Sequence, residues 1–190
     1  TMIELLNFIG LKTKLIKKKK IIEIFNNDKN INTLAPYKLV KTMRAGVLVL
    51  GSLLTKYGKA KVSLPGGCAI GTRPVDLHLL ALKKLGAKIK IKDGYILADA
   101  KKGLKGAIIK FPSISVGATE NALIASFRAR GKTILKNCAT EPEIKDLIAF
   151  LKKLGANINL KGRTITILES RVRSSKITHQ VIFDRIELGT

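Results

Sequence analysis

Tryptophan is absent, and six phenylalanines and three tyrosines are all the aromatic residues in 190. A nucleic-acid stacking platform interleaves aromatics with basic residues, and here the few rings stand apart from the lysine runs. Two cysteines cannot build a disulfide framework, which points to a reducing cytosol. Two isolated histidines give no support to metal chemistry, and no cofactor is expected. The longest apolar run, Ala45 to Leu54, is far too short to span a bilayer. Glu4 interrupts the first apolar segment and no small-residue cleavage site follows, so no cleavable signal is visible.

Acidic residues are scarce too: 13 Asp and Glu face 36 Lys and Arg, a formal net charge of +23. Such an excess first points to nucleic acid or an acidic membrane. Its make-up argues against both. Lysines number 28 and arginines 8, whereas readers of bases and phosphates rely on forked Arg contacts. The Lys runs at 17–20, 83–84, 101–102 and 152–153 recur through the chain and form no tail. The preferred account is a solvated lysine-rich surface, with neither nucleic acid nor membrane as partner. A basic nucleic-acid-binding module stays open as the alternative. The length suits one domain or two small ones.

The chain repeats itself. LHLLALKKLGAKIKI (77–91) returns as DLIAFLKKLGANINL (146–160), an offset of 69, and more faintly as MIELLNFIGLKTKL at the start. YGKAKVSL (57–64) resembles RGKTILKN (130–137) at an offset of 73. Two different elements at nearly one spacing imply a duplicated structural unit with more than one helix. Ile144, Leu147, Ile148 and Leu151 form one helical stripe, with Thr140 and Glu143 as a capping box and Gly155 as the stop. AKIKIK (87–92) alternates as a strand with Ile89 and Ile91 inward; Asp93-Gly94 turns it into YILADA. Residues 35–58 and 115–131 read as further helices, each leading into a GK strand. The fold class is therefore α/β, built from repeats of helix, strand, helix and hairpin.

Cys68 stands in VSLPGGCAIGTRPVDLH, between Pro65-Gly66-Gly67 and Gly71. A helix start follows, with Gly71 or Thr72 near the cap and Pro74 in the first turn. That helix end and Arg73 both favour a thiolate, whereas a lone cysteine is more often passive; both readings stand. Cys138, at the end of a strand, reads as structural. Arg73 at a helix N-terminus opposes the dipole, so it pairs with Asp76 or Glu141 or serves an anionic ligand. Arg44 raises the same question, with a solvated arginine as the plain answer. His78 falls on an apolar-stripe position matching Leu147, which favours a packed histidine over a base. His179, in a polar stretch, reads as exposed. SISVGATEN (113–121) sets Ser115 and Gly117 at a loop-to-helix junction whose free amides suit phosphate oxygens.

PGGCAIGTRPVDLH, with TMRAG before it and SVGATEN and EPEIKDLIAFLKKLGA after it, resembles the UDP-N-acetylglucosamine enolpyruvyl transferases of the EPSP synthase superfamily. The resemblance covers almost the whole chain, most weakly at 1–33 and 168–180. It implies one domain of a two-domain fold, an inside-out α/β barrel of βαβαββ-type units, in a cytoplasmic enzyme of peptidoglycan synthesis. It implies transfer of an enolpyruvyl group from phosphoenolpyruvate to UDP-N-acetylglucosamine, both small-molecule substrates, with no cofactor. Under it Cys68 is the general acid and Arg73 binds phosphate. Pro74, Val75, Asp76 and Leu77 line a uridine site, and Arg44 joins the anion-binding group. Ser113, Ile114, Ser115, Val116 and Gly117 form the diphosphate edge; Ser113 stands where some members have lysine. Residues 1–183 are then a Cys-loop domain lacking its N-terminal part, and 184–190 begin the crossover to an absent second domain. A Lys-Asn pair upstream, and an aspartate and an arginine downstream, would complete the site. An EPSP-synthase-like relative with a different hydroxyl acceptor is the remaining alternative.

Overall fold

The computed structural model describes residues 1–25, 30–41, 43–66, 75–172 and 176–183; for Arg44 it describes the backbone. Helix α1 (Met2–Ile9) buries Leu5 and Ile9 and ends at Gly10, whose φ of 108° suits a residue without a Cβ. The antiparallel hairpin β1 (Lys12–Ile16) and β2 (Ile21–Phe25) follows.

Two complete units come next. The first runs β3 (Leu34–Ala35), α2 (Tyr37–Val40), a 3-10 turn at Arg44–Leu48, α3 (Val49–Tyr57), β4 (Lys59–Ser63), α4 (Asp76–Lys84), β5 (Lys88–Lys92) and β6 (Tyr95–Asp99). The second runs β7 (Ile108–Lys110), α5 (Val116–Ser126), β8 (Lys132–Lys136), α6 (Pro142–Lys153), β9 (Asn157–Lys161) and β10 (Thr164–Leu168). Their sheets have the same order, β3-β4-β6-β5 and β7-β8-β10-β9. In each, the first pair is parallel and the other two are antiparallel. Each repeat of helix, strand, helix and hairpin read from the sequence gains a leading strand, β3 or β7, which makes it the βαβαββ-type unit that the resemblance implies, and α1-β1-β2 has the form of its closing αββ portion.

The β5–β6 hairpin turns at Asp93 and Gly94, both at positive φ (51° and 74°), as a two-residue turn of matching twist requires. Gly155, at φ 106°, stops α6. Three local expectations need correction. Residues 35–58 are not one helix: Met43 is extended (φ −133°, ψ 112°), and Gly46 lies so close to Val40 that a Cβ would come within 3.2 Å. The chain therefore folds back between α2 and α3 instead of continuing one axis. Ile91 is 57% exposed although it is paired with fully buried Ile96, because β5 is an edge strand. Thr140 does not cap α6; Glu141 is the N-cap residue with Pro142 in the first turn, and the Glu141 carboxylate accepts from the Thr140 amide at 2.7 Å.

Helix α5 lies against α3, α4 and α6. Its small residues Ala118, Ala122 and Ala125 are fully buried, as is Leu123. A helix buried on most sides loses the one-sided stripe of a surface helix, and close neighbours demand small side chains. Full burial of a leucine such as Leu123 contributes about 1.5–3 kcal/mol. No helix among the described residues is long and apolar enough to cross a membrane.

Candidate functional site at the helix N-termini

Contacts along α5 set the direction of its neighbours. Gly51 N–H donates to Asn121 Oδ1 at 2.9 Å, and Thr55 Oγ1 donates to the Ala125 carbonyl at 2.6 Å. Each step of four residues on α3 meets a step of four on α5, so the two helices run parallel. His78, in the first turn of α4, lies beside both Gly117 and Asn121, so α4 starts at the same end. Ala139 N–H, just before α6, donates to Thr119 Oγ1 at 3.1 Å. Four helix beginnings thus gather around the start of α5. Unsatisfied amides and aligned dipoles make such an end attractive to anions.

Ser115 is the N-cap of α5: its hydroxyl accepts from Ala118 N–H at 3.3 Å, while its carbonyl accepts from Thr119 Oγ1 at 2.7 Å. Ser115, Val116 and Gly117 are half-buried, with Ser113 and Ile114 exposed ahead of them. A Cβ on Gly117 would come within 3.2 Å of His78 Cε1, so glycine here admits the imidazole. Helix α4 begins at Asp76, with Val75 as N-cap residue; Asp76 is exposed and Leu77 half-buried. The structure therefore brings Val75, Asp76 and Leu77 to the same end as Ser115, Val116 and Gly117. Arg44 opens the 3-10 turn that leads into α3. Cys68, Arg73 and Pro74, together with the expected cap residues Gly71 and Thr72, lie outside the described residues.

The electrostatics divide around α5. Burial pushes the His78 imidazole down to about 4, against the opposing pull of Asp76. The packed histidine expected from the repeat register is what the structure contains, at 8% exposure. On the other side, burial and then the charge of Glu143 hold the Glu120 carboxyl above the usual range. Cys138 is fully buried, and burial pushes its thiol up to about 11 against a backbone hydrogen bond at Ile165. That thiol is protonated and inert at neutral pH.

His179 corrects an expectation. It is covered rather than exposed, with Nε2 2.9 Å from Asp146 Oδ1 and its ring edge-on to Phe150 at 5.3 Å. The flanking polar residues carry no sign of this, because both partners come from α6, far back in the sequence. Asn121 was missed as well. Its one sequence signal is a carboxamide inside a stretch of small residues that must be buried, where a polar group needs partners. Among the described residues, no three His, Cys, Asp or Glu side chains group as metal ligands.

The family model for EPSP synthase (3-phosphoshikimate 1-carboxyvinyltransferase) matches residues 1–190. A UDP-N-acetylglucosamine 1-carboxyvinyltransferase from Pelagibacter ubique is 57% identical over 190 residues, all of this chain and 45% of that protein. The protein of that name from Endomicrobium trichonymphae is 50% identical over the same extent. This chain thus spans about half the length of these curated relatives. The enolpyruvyl transferase NikO from Streptomyces tendae shares the fold, with a TM-score of 0.75 at 18% identity over 90% of this chain and 40% of that one. An EPSP synthase from Acinetobacter baumannii superposes with a TM-score of 0.65 at 15% identity, over 89% and 38%.

Proposed function

The chain belongs to the EPSP synthase family, and from that premise we propose that it carries the Cys-loop half of a UDP-N-acetylglucosamine enolpyruvyl transferase. The reaction adds the sugar 3′-hydroxyl to C2 of phosphoenolpyruvate while the methylene carbon takes a proton. The resulting ketal then loses phosphate and a proton to restore the enol ether. Cys68 is the acid toward the methylene carbon and can also form a covalent adduct with phosphoenolpyruvate, its sulfur bonding to C2 as the methylene carbon takes the proton. Arg73 and Arg44 hold anionic groups, and Pro74, Val75, Asp76 and Leu77 receive the uridine, with Asp76 accepting from the uracil N–H. Ser113, Ile114, Ser115, Val116 and Gly117 receive the diphosphate. Ser115 and the amides after it do so through hydroxyl and N–H donors, as helix starts do for phosphates.

The observation that carries this reading is the gathering of helix starts around Ser115 and Gly117, with Asp76 in the first turn beside them. The relatives' names support UDP-N-acetylglucosamine as the substrate, and their greater length supports a second domain of the same protein that supplies the rest of the cleft. In this account the enzyme works in the cytoplasm at the first committed step of peptidoglycan synthesis, and so bears on cell shape and division. The 190 residues alone have no turnover.

A chimera tests the proposal. These residues replace the matched stretch of the Pelagibacter ubique relative, and phosphate release is followed with both substrates. Activity that needs both substrates and vanishes in Cys68→Ala supports the reading. A well-folded chimera without turnover, or turnover by the 190 residues alone, contradicts it.

A further inference from the structure

Asn121 has no freedom in how it presents its amide. Gly51 N–H can only donate, so the atom it meets at 2.9 Å is Oδ1. The Val47 carbonyl can only accept, so the atom 3.2 Å from it is Nδ2. That same Nδ2 lies 3.1 Å from His78 Nδ1, and its second hydrogen points there. Nδ1 must then be the acceptor, which leaves the ring proton on Nε2. A second proton would set N–H against N–H, and burial disfavours the charge independently.

Resting on the nucleotide reading above, we propose that His78 is a positioning residue of the diphosphate edge, locked by Asn121 as a neutral ring whose Nε2–H side lies against Gly117. The repeat makes this more than packing. The matching position on α6 is Leu147, so a leucine serves the stripe, and only α4 adds a polar ring with a dedicated partner. A neutral donor supports an anion-binding turn without tying its affinity to pH. Asp76 is the charge that acts on the ring. On the elements packed against α4, the remaining described charges are Glu120 of α5, coupled to Glu143, and the exposed Lys88, Lys90, Lys92 and Lys110.

The experiment uses nuclear magnetic resonance on the 190-residue chain, with UDP as the probe. The His78 nitrogen shifts should show a protonated Nε2 and a bare Nδ1, unchanged from about pH 8 to about 5.5. UDP should move the Val116 and Gly117 amides. His78→Leu, which removes the ring held against Gly117 and so loosens the turn, should weaken UDP by about tenfold. His78→Gln, whose amide N–H reaches the Nε2 position, should stay within about threefold of the parent. A ring protonated on Nδ1, or UDP affinity in His78→Leu equal to that of the parent, overturns the positioning role. A parent chain whose amides ignore UDP overturns the nucleotide reading and this role with it.

Discussion

Helices α4 and α6 end in the same LKKLGA stretch and both lie against α5, yet they meet it with different chemistry. On the α4 side, His78 and Asn121 form a buried, directional network, and Gly117 is glycine because the imidazole occupies the space. On the α6 side, Thr119 accepts the Ala139 amide, and two carboxylates, Glu120 and Glu143, share a half-buried space. The shared C-terminal halves serve packing and the turn into each hairpin. The two helices differ in the residues ahead of the LKKLGA stretch, where His78 stands opposite Leu147. A duplicated unit can keep its core and still place function at one end, because caps and first turns carry little of the packing.

The largest blow to the α4 side should come from Asn121→Leu. It strips partners from the Gly51 amide, the Val47 carbonyl and His78 together, and should cost roughly 3 kcal/mol in urea unfolding. A loss below about 1 kcal/mol would show that the network is not holding α3, α4 and α5 together.

The next effect distinguishes the two sides by pH. His78 titrates near 6.5 when unfolded and about 4 when folded, so the unfolded chain binds more protons in between. Stability is therefore fully present above 6.5 and falls as pH drops toward 4, by up to about 1.4 kcal/mol per pH unit. His78→Leu should flatten that stretch of the stability profile, and an unchanged slope would assign it to other groups.

A smaller contrast lies in the two helix starts. Ser115→Ala removes the hydroxyl that caps α5 and should cost about 1 kcal/mol. Thr140→Ala, at the start of α6, should stay within about 0.5 kcal/mol because Glu141 is the cap residue there. Equal costs would restore the capping box expected from sequence.

Much of the fold was legible in the sequence. The repeats, the Asp93-Gly94 hairpin, the helix stop at Gly155 and the buried Cys138 all follow from local rules of period, turn chemistry and position. What stayed hidden depends on partners distant in sequence. Ile91 alternates correctly but lies on an edge strand, and strand order is not written in a strand's own pattern. His179 is covered by Asp146 and Phe150, and the break at Met43 depends on Val40 meeting Gly46. At the site, Ser115 was readable as a helix start, whereas Asn121 gains meaning only once Gly51, Val47 and His78 surround it.

The proposed function needs a reactive thiol at Cys68, in contrast with the buried thiol of Cys138. Alkylation by iodoacetamide at neutral pH, read by mass spectrometry with and without UDP-N-acetylglucosamine, tests it most directly. Cys68 should be modified while Cys138 is spared, and the nucleotide sugar should slow the reaction at Cys68. Modification of both cysteines at one rate, or a Cys68 rate indifferent to the nucleotide sugar, would contradict it.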